Sequence, residues 1–396
     1  MSVPTIAVSA QAIKRVRNYD CWVFRDELLR PDGALLPGEV VEVVDRQGCF
    51  VAYAFYNSRS HIALRVVSLR KEQGVDRRLL AERLSHAIAK RRILTGTDAK
   101  RLVFSEADAL PGLIVDQYGE WLVMQIRSAG MERWRQTLVE LLQELLQPCG
   151  ILERSDKEFR GEEGLEPVSR VVAGTVPQRI QIEEDGLRFW VDPYQGLKTG
   201  FYLDQRITRR RLRELIQPNH TVLDTFSYTG SLGITAASRG ARVVCVEQQE
   251  PFLALAKENA ALNHVSERIE WVAGDAFYWL EAKAKEGAAV DWVFLDPPGL
   301  AKTKGEITKA RRALHHLLTQ ALACLGPDGR LMLSICSYHL LGLVEEIVRI
   351  AAAERAGRVQ VCEQWLQAED HPWILQIPPT RYLTSWLVAR DARSAA

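Results

Sequence analysis

The chain has 396 residues, 47% of them hydrophobic and 26% charged, with 51 Lys+Arg against 50 Asp+Glu; this profile excludes a disordered chain and fits two or three globular domains. Its seven cysteines, at positions 21, 49, 149, 245, 324, 336 and 362, form no Cys-x-x-Cys pair, which argues against a zinc site or a disulfide framework and for a reducing, cytoplasmic setting. No apolar run approaches the roughly 18 residues of a membrane span, and the first residues lack a signal peptide's apolar core, so neither membrane insertion nor export is expected.

The near-zero net charge hides an uneven distribution. Residues 1–101 hold 18 Lys+Arg against 11 Asp+Glu, which is consistent with a nucleic-acid surface and equally with a solvated helix face. Residues 1–75 read as a small β-rich unit, with apolar runs at Gly38–Asp45, Gly48–Phe55 and His61–Val67 at the spacing of a compact barrel. Ahead of them, Lys14–Val23 sets a basic segment beside an entering strand. The arrangement resembles a PUA domain, a small RNA-binding barrel, and by pattern alone fits a generic barrel too. Asp76 to about Arg101 predicts one basic amphipathic helix, with Leu79, Leu80, Leu84, Ile88 and Ile93 along one side.

The stretch 76–190 continues as a strand-rich α+β domain. Gly112–Gly119 and Glu120–Ile126 predict a hairpin, followed by a helix near Met131–Leu146 and a strand at Gly150–Glu153. After a charged loop at 157–166, Gln178–Ile182 and Leu187–Val191 flank Asp185-Gly186, a strong hairpin signal. No catalytic constellation is evident in this region. Pro193–Leu212 leads into the last domain, 191–396, and its run Asp204-Gln205-Arg206 reads as the lip of an active site, with Gln205 and Arg206 facing substrate. The alternative is a capped amphipathic helix.

Strands are expected near Val222, Val244, Ile269–Ala273, Asp291–Asp296, Arg330–Ile335 and Leu383–Ala389, with helical patterns between most of them. That alternation predicts a doubly wound parallel sheet, whose ligands bind outside the carboxyl ends of the strands. His220–Gly230 is the first strand and its turn, followed by a helix, and Glu247 closes the second strand. An acid there can accept hydrogen bonds from ribose hydroxyls. A dinucleotide would require Gly-x-Gly-x-x-Gly, whereas only Gly230 and Gly233 occur here and Asp224 opens the turn. An acid facing the ligand suits S-adenosylmethionine (SAM), with its cationic methionine end and no phosphate.

Asp275 ends the third strand, where it can accept from an adenine amino group beside Ala276, or simply cap the following helix. Asp296-Pro297-Pro298 sets a rigid extended corner after the fourth strand. The motif resembles class I methyltransferases acting on planar nitrogen or base substrates. Those that modify exocyclic amines usually carry an aromatic next, and Gly299 stands in its place. Cys336, in Ser334-Ile-Cys-Ser-Tyr338 at the end of the fifth strand, is placed to attack carbon 6 of a pyrimidine and so activate carbon 5. A cysteine in an apolar strand is otherwise core.

Through 198–206, 223–230, 295–298, 334–337 and 368–372, the chain resembles bacterial 23S ribosomal RNA (cytosine-5) methyltransferases of the RlmI type from end to end. The resemblance implies a PUA domain, a central strand-rich domain and a C-terminal Rossmann-like SAM-dependent domain. It further implies a cytoplasmic enzyme acting on 23S RNA or a large-subunit assembly intermediate, and leaves a homodimer open. SAM would be held by Asp224, Phe226, Tyr228, Gly230, Glu247, Gln248, Asp275 and Ala276. Cys336 and Asp296 would be catalytic, Gln205, Arg206, Pro297 and Pro298 would meet substrate, and no metal is implied. The sequence departs from the family at Ser231, where a second glycine is usual, and at Leu300, where an aromatic is common. Two alternatives remain: methylation of an amine or another RNA base with Cys336 structural, and an RNA-binding protein with an inactive methyltransferase domain.

Overall fold

A computed structural model describes residues 3–30, 35–155, 160–301 and 303–391, and all counts below are of those residues. Residues 157–159 of the charged loop lie outside them. The chain forms two units, one of residues 1–182, 191–200 and 369–380, the other of 183–190, 201–368 and 381–396.

The first unit holds two sheets. One is six-stranded and mixed, built from β1 (Thr5–Val8), β2 (Trp22–Phe24), β3 (Leu28–Arg30), β4 (Val40–Val44), β5 (Phe50–Tyr56) and β6 (Ile62–Ser68) in the order β2-β6-β5-β4-β1-β3. The basic segment before β2 is a helix, Ala10–Arg17, whose start is capped by the Ser9 side chain. Ile6, Val23, Val41, Val43 and Leu64 close over Ala12 and Val16 of that helix to form the core.

The other sheet runs β11-β10-β9-β8-β7, from β7 (Ala99–Phe104), β8 (Leu113–Tyr118), β9 (Trp121–Ile126), β10 (Gly150–Ser155) and β11 (Val168–Gly174). β8 and β9 are the expected hairpin. The expected long helix is shorter: it spans Arg77–Lys90, and the chain then turns into β7. Ile93 is exposed, not on the apolar side. Helical periodicity over-ran here because the basic residues that follow are half strand and half turn.

Arg91, just beyond the end of helix Arg77–Lys90, is buried. Its guanidinium donates to both carboxylate oxygens of Asp108 at 2.7 Å and to three backbone carbonyls, Ala87, Arg101 and Asp370. Asp370 itself accepts from the backbone N–H of Arg101 at 2.9 Å, so the motif near the C-terminus serves to hold β7. β12 (Ile180–Glu184) and β13 (Leu187–Val191) pair across Asp185 and Gly186, both in left-handed conformation.

The second unit is built on a seven-stranded sheet: β14 (Thr221–Thr225), β15 (Arg242–Glu247), β16 (Ile269–Ala273), β17 (Val290–Leu295), β18 (Leu325–Ile335), β19 (Val359–Leu366) and β20 (Thr384–Arg390), in the order β16-β15-β14-β17-β18-β20-β19. The first five are parallel, as expected, but β20 is antiparallel to both β18 and β19. Between β19 and β20 the chain forms a 3₁₀ turn at Pro378–Thr380 and no crossover helix, and a parallel return usually runs through such a helix. β14 lies centrally, with later strands added on both sides, so the order reverses between β14 and β17. A crevice opens at such a reversal, over the strands' carboxyl ends. Leu223, Val293, Leu295, Leu331 and Leu333 cover one sheet face with Leu314, Leu317 and Leu318 of helix Ile307–Ala323. No helix among the described residues is long and apolar enough to cross a membrane.

Adjacent arginines give a test of the buried pair. Arg91→Ala strands the Asp108 carboxylate and should cost about 3–5 kcal/mol in urea unfolding, as breaking a buried ion pair does. Arg92→Ala, at an exposed position, should stay within about 0.5 kcal/mol of the parent. Equal effects would show that Arg91 is not structurally committed.

Candidate active site at the carboxyl ends of the sheet

The loop after β14 is tight. Phe226, Tyr228 and Gly230 have φ of 63°, 49° and 82°, and left-handed backbone at two bulky residues persists only where the surroundings over-determine it. They do so here. Ser227 N–H donates to the Val246 carbonyl at 3.0 Å, and Tyr228 N–H donates to Glu247 Oε2 at 2.9 Å. Glu247 Oε1 accepts from Gln249 N–H at 2.8 Å. Glu247 therefore ties the loops after β14 and β15 together while each of its oxygens keeps a second lone pair.

Asp224 sits beneath the loop. Its Oδ2 accepts from Gly233 N–H at 2.8 Å, and a Cβ at Gly233 would lie 2.9 Å from that oxygen and 2.4 Å from Cys245 Sγ. Only glycine permits this approach, so the pair matters more than the glycine missing at Ser231. Asp224 Oδ1 and the Thr229 hydroxyl are buried without a hydrogen-bond partner among the described residues. Buried polar atoms are costly to leave unpaired, and an acceptor and a hydroxyl together under a strand-end loop suit a ligand carrying donors, such as the ammonium of a methionine moiety. Phe226 meets Phe277 edge-on at 5.7 Å, and Tyr228 meets Tyr202 and Phe252 at 5.1 and 4.7 Å. These rings make an aromatic wall. Gly274 N–H reaches the Glu247 carbonyl, which brings Asp275 and buried Ala276 to the same edge. Asp275 also caps helix Ala276–Lys285, accepting from Phe277 N–H at 2.8 Å. Gln248 is exposed beside Glu247.

The second half of the crevice lies over β17 and β18, where Leu295 pairs with Leu333. Asp296 is half-buried, Pro297 buried and Pro298 exposed. Gln205 Nε2 donates to Asp296 Oδ2 at 2.9 Å. Ser337 Oγ donates to the Ala301 carbonyl at 2.7 Å, fastening the segment that follows the two prolines to the turn that carries Cys336. Cys336 is half-buried, while Cys245 and Cys324 are buried and Cys49, Cys149 and Cys362 exposed. Burial pushes the Cys324 thiol up to about 11 and the Cys245 thiol well above its usual range, the latter also through Asp224.

Two positions differ from the sequence reading. Arg206 is fully buried, and its guanidinium donates to Glu184 Oε2 at 3.0 Å, alongside Arg209 on the same carboxylate. It anchors helix Arg206–Leu215 to β12. Tyr202, not among the expected site residues, does belong to the cluster. Burial, and then the proximity of Cys336 and Asp296, pushes its phenol well above the usual value. A half-buried neutral phenol is a donor. The available signal was its place in the aromatic pair Phe201-Tyr202 just before Asp204.

Burial also pushes the Asp224 carboxyl up to about 8. A folded value above the unfolded one, about 4, means the native state holds this proton more tightly. The contribution to stability is complete below pH about 4 and is lost as pH rises through about 8. Asp224→Asn should therefore gain stability relative to the parent as pH is raised across that window, read by thermal unfolding. Parallel curves would show a carboxylate already ionised in the folded chain.

Residues 6–69 match the model of a PUA-like domain, and residues 208–340 match that of conserved hypothetical protein 95. The ribosomal RNA large subunit methyltransferase I of Cronobacter sakazakii is 35% identical over 390 residues, covering 97% of this chain and 98% of the relative. The enzyme of the same name from Salmonella arizonae is 35% identical over 387 residues, 96% of each chain. Among solved structures, a Streptococcus mutans chain described as a candidate SAM-dependent methyltransferase superposes with a TM-score of 0.83, at 20% identity, over 98% of this chain and 100% of that one. A methyltransferase candidate solved with S-adenosylhomocysteine superposes equally well, with a TM-score of 0.83 at 20% identity over 98% and 100% of the two chains; at such identity the likeness is one of fold. With relatives of one name matching nearly its whole length, the chain belongs to the ribosomal RNA large subunit methyltransferase I family.

Proposed function

We propose that this chain methylates carbon 5 of a cytosine in 23S ribosomal RNA, with SAM as methyl donor and Cys336 as covalent nucleophile. The observation that carries the reading is the tie between the Asp296 corner and the Cys336 turn, at the ends of adjacent strands, through Ser337 and the Ala301 carbonyl. Asp224, Phe226, Tyr228, Gly230, Glu247, Asp275 and Ala276 would hold SAM, which supplies an electrophilic methyl group. The partnerless Asp224 Oδ1 and Thr229 hydroxyl support that fit.

Carbon 5 of cytosine is a poor nucleophile until carbon 6 is attacked. The Cys336 thiolate adds to carbon 6 and pushes electron density into the ring, making carbon 5 nucleophilic. Asp296 orients the base by accepting from its exocyclic amino group. Once carbon 5 carries its methyl group, loss of its proton restores the double bond and expels the thiolate. Tyr202, as a neutral phenol, shares the electrostatic surroundings of Cys336 and Asp296. The base has to leave its stack to reach the crevice, at a cost of a few kcal/mol, which favours looped or incompletely folded RNA.

Transfer of a labelled methyl group from SAM to ribosomal RNA, followed by nucleoside analysis, should yield 5-methylcytidine. Cys336→Ala should lower transfer by about 10³-fold or more, as for loss of a covalent nucleophile, with SAM affinity within about twofold of the parent. Substantial activity in that variant would return Cys336 to the core and favour methylation of an amine.

A further inference from the structure

Gln205 touches Asp296, but its other end leads away from the crevice. Trp365 Nε1 donates to Thr208 Oγ1 at 2.8 Å, Thr208 Oγ1 donates to Gln205 Oε1 at 2.7 Å, and Gln205 Nε2 donates to Asp296 Oδ2 at 2.9 Å. The four residues come from β19, helix Arg206–Leu215, the turn before that helix and the corner after β17. Gln205 and Thr208 are 3% and 1% exposed, so water cannot readily substitute for either.

The chain has a direction. An indole N–H can only donate, so the Thr208 oxygen accepts it and directs its own proton elsewhere. The nearer acceptor is Gln205 Oε1 at 2.7 Å, against 3.3 Å to Ser385 Oγ. Ser334 Oγ approaches the same amide oxygen at 3.5 Å. With hydroxyls gathered on its oxygen, the amide must present its NH₂ to Asp296. The reversed amide would set oxygen against carboxylate oxygen, which is repulsive unless the acid takes up a proton.

We propose that Trp365, Thr208 and Gln205 form a one-way relay that holds the Asp296 carboxylate as a hydrogen-bond acceptor and thereby selects a pyrimidine edge bearing an amino group. The proposal rests on the reading that Asp296 faces the target base. Cytosine presents a donor at carbon 4 where uracil presents an acceptor, and a fixed acceptor binds the first and repels the second. Gln205, Thr208 and Trp365 are positioning residues in this scheme, acting through Asp296. Titratable groups that act electrostatically with Asp296 include Asp224 from β14 and Tyr202, which in turn interacts with the Cys336 thiol; these are not members of the relay.

The test compares Thr208→Val, Thr208→Ser and Trp365→Phe on RNA with cytidine or uridine at the target position. Thr208→Val and Trp365→Phe should raise the acid limb of the kcat/KM profile by about one pH unit, because a donor to the charged acid is weakened. They should cut the preference for cytidine about tenfold while SAM affinity holds, and Thr208→Ser should behave as wild type. An unmoved acid limb and preference, or Thr208→Ser no better than Thr208→Val, overturns the proposal. The Trp365 indole N–H resonance, identified by its loss in Trp365→Phe, gives a readout independent of RNA. It should exchange slowly and shift as Asp296 titrates, and lose both properties in Thr208→Val and the titration in Asp296→Asn. An indole signal indifferent to these changes overturns the relay even where methylation is normal. Failure of the wild type to methylate cytidine overturns the selector role with the reaction it rests on, while the indole measurement still decides the relay.

Discussion

A single carboxylate, Glu247, holds one oxygen toward each of two neighbouring strand-end loops, and the crevice depends on it. Its hydrogen bond to Tyr228 N–H helps keep that residue at φ 49°, next to Phe226 at 63°. Without such an anchor, left-handed bulky residues would relax, each being strained by about 1–3 kcal/mol. The loop's shape in turn sets the aromatic contacts of Tyr228 with Tyr202 and Phe252. The acid expected to meet ribose thus also builds the loop around it.

A second constraint is the number of acids brought to one edge. Burial first, and then Asp296 and Glu247 electrostatically, raise the Asp224 carboxyl. Like charges in one crevice cannot all be held ionised without compensation. Here compensation comes from directed N–H groups: Gly233 for Asp224, Tyr228 and Gln249 for Glu247, and Gln205 for Asp296.

The sheet was legible because its central strands are short, unbroken apolar runs ended by an acid or a turn, a pattern that burial on both faces imposes. β19 was not legible. It is an edge strand, its residues are all at least partly exposed, and Val359-Gln-Val-Cys-Glu-Gln-Trp-Leu366 carries no apolar run. β7 was hidden by its basic neighbours, which read as one helix with Arg77–Lys90. Arg206 was misplaced for a different reason: a buried ion pair and a substrate contact look alike in sequence, and its partner Glu184 sits on β12, 22 residues back. Tyr202 went unremarked because an aromatic is core by default, and its role emerges only once Asp296 and Cys336 are beside it. Conversely, Gln205, Asp296 and Cys336 stood out in the sequence because polar residues at a strand end or in a helix-entry turn have few structural duties.

The central claim is that Cys336 bonds covalently to the target base. The most direct measurement is mass spectrometry of the protein after incubation with SAM and RNA carrying 5-fluorocytidine at the target, where fluorine on carbon 5 cannot leave as a proton does and the thiol stays attached. A stable RNA adduct is expected on the peptide containing Cys336, formed only with SAM present. Methylation of ordinary RNA without any such adduct, or an adduct on one of the other six cysteines, would contradict it.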